Sequence, residues 1–390
     1  MTVSLWCRSP RPEPIECDVC VVGGGICGLS AAMELERRGA RAVLIEAREV
    51  GAGASGRNAG YLIRGAADNY AQACRAYGRE RAAILWRWTE RNLATLLEEG
   101  VGETQSFERR PSCLIALGEE EEAQLRESAE LLREDGFEAE LLGPDDGPGD
   151  ALWRSGRVRA GLVNPGDAVC SPIELVRSLR DRLNATRMLV GHEAHTIAGD
   201  GDRVEVVCAD ARVRCERVFV ALNAYAPSLL PSLEGVVTPH RGQMLAAKPV
   251  EDTATLEMAY YANHGSEYFR PGPNGLIVFG GARTYYADEE AGDMDGVTRR
   301  VQDRLEAFMQ ELITARYRVI ARWSGTMGFS PDGLPLVGPV ESPGVEPGRV
   351  WFCGGFTGHG MSMAHTTARA AVGEMLGGEP TPFPLSRLAE

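Results

Sequence analysis

Three glycines and one acid carry the first chemistry in this chain. Gly23, Gly25 and Gly28 spell G-x-G-x-x-G, and Glu46 closes the next apolar run. In a dinucleotide site the first glycine makes a tight turn. The second lets a pyrophosphate approach the backbone, and the third lets a helix sit close to a strand. An acid at the position of Glu46 would take the ribose hydroxyls. The pattern by itself does not choose between a flavin and a nicotinamide dinucleotide.

Those residues need elements to hold them. Val19, Val21 and Val22 make a β-branched run that reads as a buried parallel strand. Leu29 to Arg38 reads as a helix with Gly39 just past its end, and Ala42 to Ile45 as a second strand. The helix N-terminus would offer N–H groups and a positive dipole end to phosphates. Gly51, Gly53, Gly56 and Gly60 form a second glycine-rich loop, a further backbone surface for a cofactor. A third runs from Gly354 to Gly360 and opens a helix expected over Met361 to Leu376. There His359 could place a positive charge, or simply bond a nearby backbone group.

Composition narrows the classes. A chain of 390 residues, 44% hydrophobic, can form one two-lobed unit or two domains. A net charge of -14 argues against nucleic acid and anionic membrane surfaces. No apolar run approaches a membrane span, and the N-terminus has no apolar signal segment. The ten cysteines are scattered, with Cys17 and Cys20 the one C-x-x-C, and the six histidines show no H-E-x-x-H. We therefore expect a reduced, cytoplasmic protein with buried thiols and no metal site.

Further along, residues 1 to 16 read as a surface arm. Asn69 to Gly100 is helical by pattern, with Trp86 and Trp88 read as core. Phe107 to Leu117 reads as a strand, Glu119 to Asp135 as an acidic helix, and Ile173 to Leu183 as a helix behind Pro172. Val204 to Val207 with Val213 alternate as a hairpin, and Val218 to Leu222 is a third buried strand. A β-rich region follows from Thr238, with a Pro-Asn-Gly hairpin turn. Gly296 to Leu312 is a helix and Val350 to Cys353 a strand.

Six stretches in order, VVGGGICGLSAAMELERRG, GAGASGRN, VALNAYAPSLLP, HRGQM, SPDGLPLVG and FCGGFTGHGM, resemble the FAD-dependent D-amino-acid oxidase, glycine oxidase and sarcosine oxidase superfamily. The branch of γ-glutamylputrescine oxidases is the most similar. The resemblance implies an α/β fold: a Rossmann-type, glutathione-reductase-like FAD-binding domain with an inserted antiparallel-sheet substrate domain. The FAD domain would take 1–70, 155–235 and 325–390, and the substrate domain 71–154 and 236–324.

The resemblance also implies site residues. Gly23, Gly25, Ile26, Cys27 and Gly28 would hold the FAD pyrophosphate, and Glu46, with Ala47 and Arg48, the adenosine ribose. Ser55, Gly56, Arg57, Asn58, Ala59 and Gly60 would run beside the pyrophosphate and flavin. Ala194 and His195, at the end of the strand GHEAHTI, would approach the adenine, and Ala221 and Asn223 belong to the same set. Gly355, Thr357, Gly358, His359, Gly360 and Met361 would pass the pyrimidine edge of the flavin. A glycine loop opening a helix suits that edge, because reduced flavin carries charge at N1 and O2. Relatives attach flavin through a His or Cys where this chain has Arg57 and about Gly325, so FAD is expected to be non-covalent.

The substrate end departs from the family. The carboxylate-gripping Arg expected five residues before Asp332 is Met327, which cannot make a bidentate pair. Arg64 is the match for the alternative Arg that sarcosine oxidases use. Their Lys in the G-H-G helix is Ser362, and the oxygen-activating Lys is missing near Tyr268 to Arg270. His359, Arg64, Tyr268, Arg270 and Met327 are the catalytic-site candidates, with Tyr261 and Arg322 beside the substrate. The implied reaction oxidises a C–N bond of a small amine or amino acid by hydride transfer to flavin N5. The resulting imine hydrolyses, and oxygen takes the electrons to give hydrogen peroxide. The alternatives are a dehydrogenase with another acceptor and a flavin-binding tailoring or non-catalytic protein.

Overall fold

The computed structural model describes residues 12–66, 68–250, 255–313 and 315–389, which fall into two compact units. The first lies within Met1–Gly56, Val176–Pro239 and Met327–Glu390, and the second within Arg57–Leu175 and His240–Thr326. Residues 57–70 and 155–175, expected with the nucleotide-binding part, group with the second unit. The cause is local: Tyr61–Leu62 pairs with Ala168–Val169, and that strand pairs with Glu108–Arg109.

In the first unit a six-stranded sheet runs in the order Arg187–Val190, Ala42–Glu46, Val19–Val22, Arg217–Val220, Val350–Gly354, Leu336–Pro339. All neighbours are parallel except the last pair. The chain passes to one side of Val19–Val22 first and to the other side later. The end of that strand is therefore a topological switch point, where α/β sheets bind ligands. Val19–Val22 and Ala42–Ile45 are buried throughout, as their unbroken apolar runs require. The helix Ile26–Arg37 packs against Gly360–Met375, and Ser30 Oγ meets His365 Nδ1 at 2.8 Å between them. A four-stranded sheet joins Ile15–Glu16, Arg212–Cys215, Arg203–Cys208 and Ala194–Asp200. The expected surface arm thus ends by residue 15; its residues 1–11 lie outside the described residues.

The second unit is built on an eight-stranded sheet. Its order is Tyr317–Phe329 (317–326 belonging to this unit), Thr238–Pro249, Ile277–Gly281, Glu267–Pro271, Ala259–Ala262, Ser112–Ala116, Ala160–Asn164, Glu140–Leu142. It is mainly antiparallel, but Ala259–Ala262 runs parallel to Ser112–Ala116. The Pro-Asn-Gly turn joins the antiparallel strands Glu267–Pro271 and Ile277–Gly281.

Several element bounds shift for physical reasons. The expected helix over 69–100 breaks at Gly78, whose φ of 82° leaves the helical region, giving Tyr70–Tyr77 and Arg79–Glu98. Trp86 is buried against Tyr70, with ring centroids 4.8 Å apart. The strand expected over 107–117 divides at Pro111. The late helix starts at Arg299 rather than Gly296, because Thr298 is extended and its N–H donates to Gln243 Oε1 at 3.0 Å.

Candidate active site

The first glycine turn is built without room for side chains. A Cβ on Gly28 would stand 1.8 Å from Gly23 O, and one on Gly23, with φ 114°, 2.7 Å from Ala221 O. A Cβ on Gly25 would meet Ser55 Oγ at 2.8 Å. Gly23 N–H donates to Ile45 O at 2.8 Å and Ala221 N–H to Val22 O at 2.8 Å, so the turn is pinned from both neighbouring strands. Glu46 Oε2 accepts from Gly24 N–H at 2.7 Å and Oε1 from Arg48 N–H at 2.8 Å. Ser55 Oγ accepts from Ile26 N–H at 3.1 Å. The helix Ile26–Arg37 has no acid in its first turn and no side-chain cap at Gly25. A glycine-lined helix N-terminus with no acid in its first turn fits a dinucleotide pyrophosphate, and the Glu46 carboxylate beside Gly24 marks the ribose side of the turn.

Ala194 and His195 begin the strand Ala194–Asp200 and do not end one. The turn before it is tied to the acid, for His192 N–H donates to Glu46 O at 3.0 Å. The second glycine loop divides between the units. Ser55 and Gly56 stay with the nucleotide turn, whereas Arg57 to Gly60 belong to the second unit. Arg57 Nη1 donates to both Asp295 carboxylate oxygens, at 3.0 and 2.9 Å. Asn58 Oδ1 accepts from Gly60 N–H at 2.7 Å.

The late glycine loop of the first unit holds strained backbone. Thr357, a β-branched residue, sits at φ 47°, and Asn223 at φ 46°. Thr357 N–H donates to Gly328 O at 2.9 Å, and its Oγ1 accepts from Ser330 N–H at 3.2 Å. Gly355 N–H donates to Asn223 Oδ1 at 2.9 Å. A Cβ on Gly328 would meet that same oxygen at 2.7 Å. Ser330 Oγ reaches Leu334 O at 2.7 Å, and Arg387 grips both Asp332 oxygens at 2.8 and 2.9 Å. Burial works against the Asp332 charge, but Arg387 and the Leu334 N–H hold its carboxyl below the usual range. Gly328 and Ser330 were not singled out from the sequence; the Ser-Pro-Asp-Gly turn was their signal.

His359 is the residue just before the helix Gly360–Met375, whose first turn carries no acid. Its Nδ1 lies 2.9 Å from Thr357 O. A carbonyl only accepts, so Nδ1 carries the proton and Nε2 is the acceptor in the neutral ring. Burial pushes its pKa down, against the smaller pull of that carbonyl, so the ring is neutral at pH 7. The positive charge considered for His359 gives way to the backbone bond. The N-terminal end of the helix is left as the source of positive potential. Met327 lies near the loop: a Cβ on Gly358 would be 3.5 Å from its Sδ.

In the second unit three candidate arginines are held by the fold itself. Arg64 is buried; Nη1 bonds Glu90 Oε1 at 3.1 Å and Nη2 bonds Asn164 Oδ1 at 2.6 Å and Glu138 O. Arg270 donates to Ala59 O at 2.5 Å, Pro271 O at 2.8 Å and Cys170 O at 3.0 Å. Arg322 bonds Gln302 Oε1 at 2.7 Å and Glu306 Oε1 at 2.5 Å. Asp167 is buried, accepting from Arg64 N–H at 2.9 Å and Ser112 Oγ–H at 2.6 Å; burial pushes its pKa up to about 7. Tyr268 belongs to a cluster with Tyr61 and Tyr261, whose rings pack at centroid distances of 4.9, 6.3 and 5.9 Å. The site residues thus form a nucleotide cradle with its glycine loop in one unit and a tyrosine-rich sheet face in the other.

The described cysteines are free thiols, and all but Cys74 are buried. Among the described residues no His, Cys, Asp and Glu group could hold a metal, and no helix is long and apolar enough to cross a membrane.

Comparisons with known proteins agree with this geometry. The γ-glutamylputrescine oxidoreductase of Escherichia coli is 28% identical over 389 residues, covering 95% of this chain and 86% of that protein. Glycine oxidase of Pseudomonas aeruginosa is 29% identical, with 93% and 95% covered. Among solved structures, glycine oxidase from Geobacillus kaustophilus superposes with a TM-score of 0.78 at 20% identity, covering 96% and 98% of the two chains. L-Proline dehydrogenase from P. horikoshii gives 0.77 at 19%, covering 96% of each. The model of the FAD dependent oxidoreductase family, DAO, matches residues 18–373. With its glycine cradle, its strained late loop and that match across most of its length, the chain belongs to the DAO family of FAD dependent oxidoreductases.

Proposed function

We propose that this FAD-dependent oxidoreductase of the amine and amino-acid oxidase type oxidises the C–N bond of a small amine or amino acid to an imine, which hydrolyses, with oxygen as the electron acceptor and hydrogen peroxide as product. FAD, when bound, supplies the acceptor for the electron pair and hydrogen leaving the substrate α-carbon. Gly23, Gly25, Gly28 and Glu46 would hold its nucleotide end, and the loop around Thr357 and His359 would face its ring. The observation that carries this reading is that loop. Backbone held at positive φ by Asn223, Gly328 and Ser330 opens a helix with no acid in its first turn. Such a helix end stabilises negative charge arising beside it, and preorganisation lets it act without rearrangement. The two curated relatives carry the names of an amine and an amino-acid oxidising enzyme, which supports the substrate class. Buried free thiols suit a cytoplasmic enzyme.

One observation favours a second reading, a dehydrogenase with another acceptor. Lys248 is the only lysine in the chain, and its ammonium is bonded to Asn274 O at 2.5 Å beside the hairpin turn. A lysine charge that would ease electron transfer to oxygen is absent elsewhere. The test is to screen amines and amino acids anaerobically for loss of the yellow flavin band, and then to admit air. Bleaching by an amine with recovery in seconds and peroxide release supports the oxidase. Bleaching that persists in air and yields to a quinone supports the dehydrogenase. A flavin that no amine or amino acid bleaches refutes both.

A further inference from the structure

Thr357 stands at φ 47°, where a β-branched residue does not rest unless its surroundings hold it. Its own bonds lead out of the loop. Thr357 N–H donates to Gly328 O at 2.9 Å, and Oγ1 accepts from Ser330 N–H at 3.2 Å. Ser330 Oγ lies 3.2 Å from that hydroxyl and 2.7 Å from Leu334 O. A carbonyl only accepts, so the one Ser330 proton goes to Leu334. The Thr357 hydroxyl is left to donate to Ser330 Oγ or to Gly355 O at 3.3 Å.

The turn that carries Ser330 is held in its place by a side chain from another stretch. Arg387 Nε and Nη2 donate to Asp332 Oδ2 and Oδ1 at 2.8 and 2.9 Å, and Nη2 also reaches Leu334 O at 3.1 Å. Nη1 donates to Pro384 O at 2.9 Å, which ties the guanidinium to its own segment. Asp332 Oδ1 accepts in addition from Leu334 N–H at 3.1 Å. Leu334 O thus receives two donors, one from Arg387 and one from Ser330. An arginine meets a carboxylate with both prongs of its fork, which fixes the geometry of the pair as well as its strength.

There is little slack between turn and loop. A Cβ on Gly355 would stand 3.2 Å from the Leu336 side chain and 3.4 Å from Ser330 Cβ. Phe329 bridges to Phe356, and Val337 to Pro384. The turn therefore joins the glycine loop to the segment that carries Arg387. A close-packed junction of this kind passes a shift on instead of absorbing it. The path runs from Arg387 through Asp332 and Leu334 to Ser330 and Thr357.

We propose that Arg387 is a positioning residue for the flavin chemistry: by clamping Asp332 and the Leu334 carbonyl it fixes the turn that keeps Thr357 at positive φ, and so sets how well the helix end after His359 stabilises negative charge on the flavin ring. Arg387 acts only through the turn. Without its fork the turn relaxes, Thr357 loses part of its support, and the backbone opening the helix Gly360–Met375 is no longer preorganised. The proposal rests on the reading of that helix end as the support for flavin charge, and its test separates the two.

The probe is sulfite, which adds to N5 of oxidised flavin and leaves negative charge over N1 and O2, so that its affinity reads the potential beside the ring. Titration of the flavin-loaded enzyme, followed by loss of the yellow band, should show Arg387→Met binding sulfite about fivefold more weakly than wild type. Ser330→Ala should do the same, and the double variant should be no weaker than either single, since both break one chain. Arg387→Lys, with no fork, should fall between wild type and Arg387→Met, and it carries the test if Arg387→Met loses its flavin. Glu374→Ala is the control. It removes the 2.8 Å acceptor of Thr381 N–H without touching Asp332, and sulfite affinity should hold. Hydrogen exchange on the same loaded proteins should quicken about tenfold over 355–361 in Arg387→Met and stay unchanged over 19–28. Wild-type sulfite affinity in both Arg387 variants, unchanged exchange over 355–361, additive losses in the double variant, or an equal loss in Glu374→Ala overturns the proposal and leaves the helix-end reading standing. Wild-type enzyme that takes up no sulfite refutes the helix-end reading, and the proposal with it.

Discussion

Glu46 accepts the Gly24 N–H at 2.7 Å, so the acid that ends one strand is latched to the middle of the glycine turn that ends its neighbour. Acid and turn form a single rigid piece. In Glu46→Gln one oxygen becomes a donor facing either Gly24 or Arg48 N–H. If the same carboxylate takes the ribose hydroxyls, losing one charge-assisted bond of about 1.5 kcal/mol to them corresponds to roughly tenfold weaker FAD binding. Fluorescence titration of the flavin-free protein checks this, and unchanged affinity would contradict it.

Gly28→Ala puts a methyl 1.8 Å from a backbone oxygen that no rotamer change can move. We expect flavin-free protein, less stable by about 3 kcal/mol in urea. Gly53→Ala is the control, since nothing lies within 4 Å of the added carbon. It should retain FAD and stability.

Two buried groups give opposite slopes of stability against pH. Asp167 has its pKa raised to about 7, so the folded state binds more protons than the unfolded between about pH 4 and 7. Its share of stability is full in acid and lost as pH rises through 7. His365 is lowered to about 3 by burial first and by Arg369 and Arg37 next. Its share is present above pH 6.5 and is lost as pH falls toward 3. Asp167→Asn should therefore be most stabilised relative to wild type at pH 8, with the gain vanishing by pH 4. His365→Asn should flatten the acid limb. Urea midpoints at pH 4, 6 and 8 read both.

Arg64→Met leaves the buried Asn164 Oδ1 without its donor and frees the part-buried Glu138 carbonyl. A loss of about 3 kcal/mol in urea unfolding is expected. If the arginine serves the fold, KM of the surviving enzyme should stay within about twofold. A tenfold rise in KM with normal stability would return Arg64 to the substrate.

The nucleotide half was legible because its signals are local. A β-branched strand, a spaced glycine turn and a terminal acid mean the same thing wherever they occur, and Gly23 to Glu46 folds as its spacing predicts. The late loop was legible as glycine-rich but not as strained. Nothing in the letters shows Thr357 at φ 47°, which depends on Gly328 and Ser330 from another stretch. The arginines were the least legible. Arg64, Arg270 and Arg322 look alike in sequence, yet three different sets of distant acceptors capture them, and only the fold chooses those acceptors. The split of Arg57 from Ser55 was hidden for a similar reason: both stand in one glycine-rich run, but Asp295 lies 238 positions away.

Arg270 has a consequence of its own. Its guanidinium is shared among carbonyls of Ala59, Cys170 and Pro271, with no ion pair to a carboxylate among the described residues. The strand that carries Arg270 is thus bolted to two segments remote from it in sequence, which backbone pairing already joins to each other. Loss of the fork frees that strand from both at once. A lysine, with a compact head and no fork, would hold at most part of the joint.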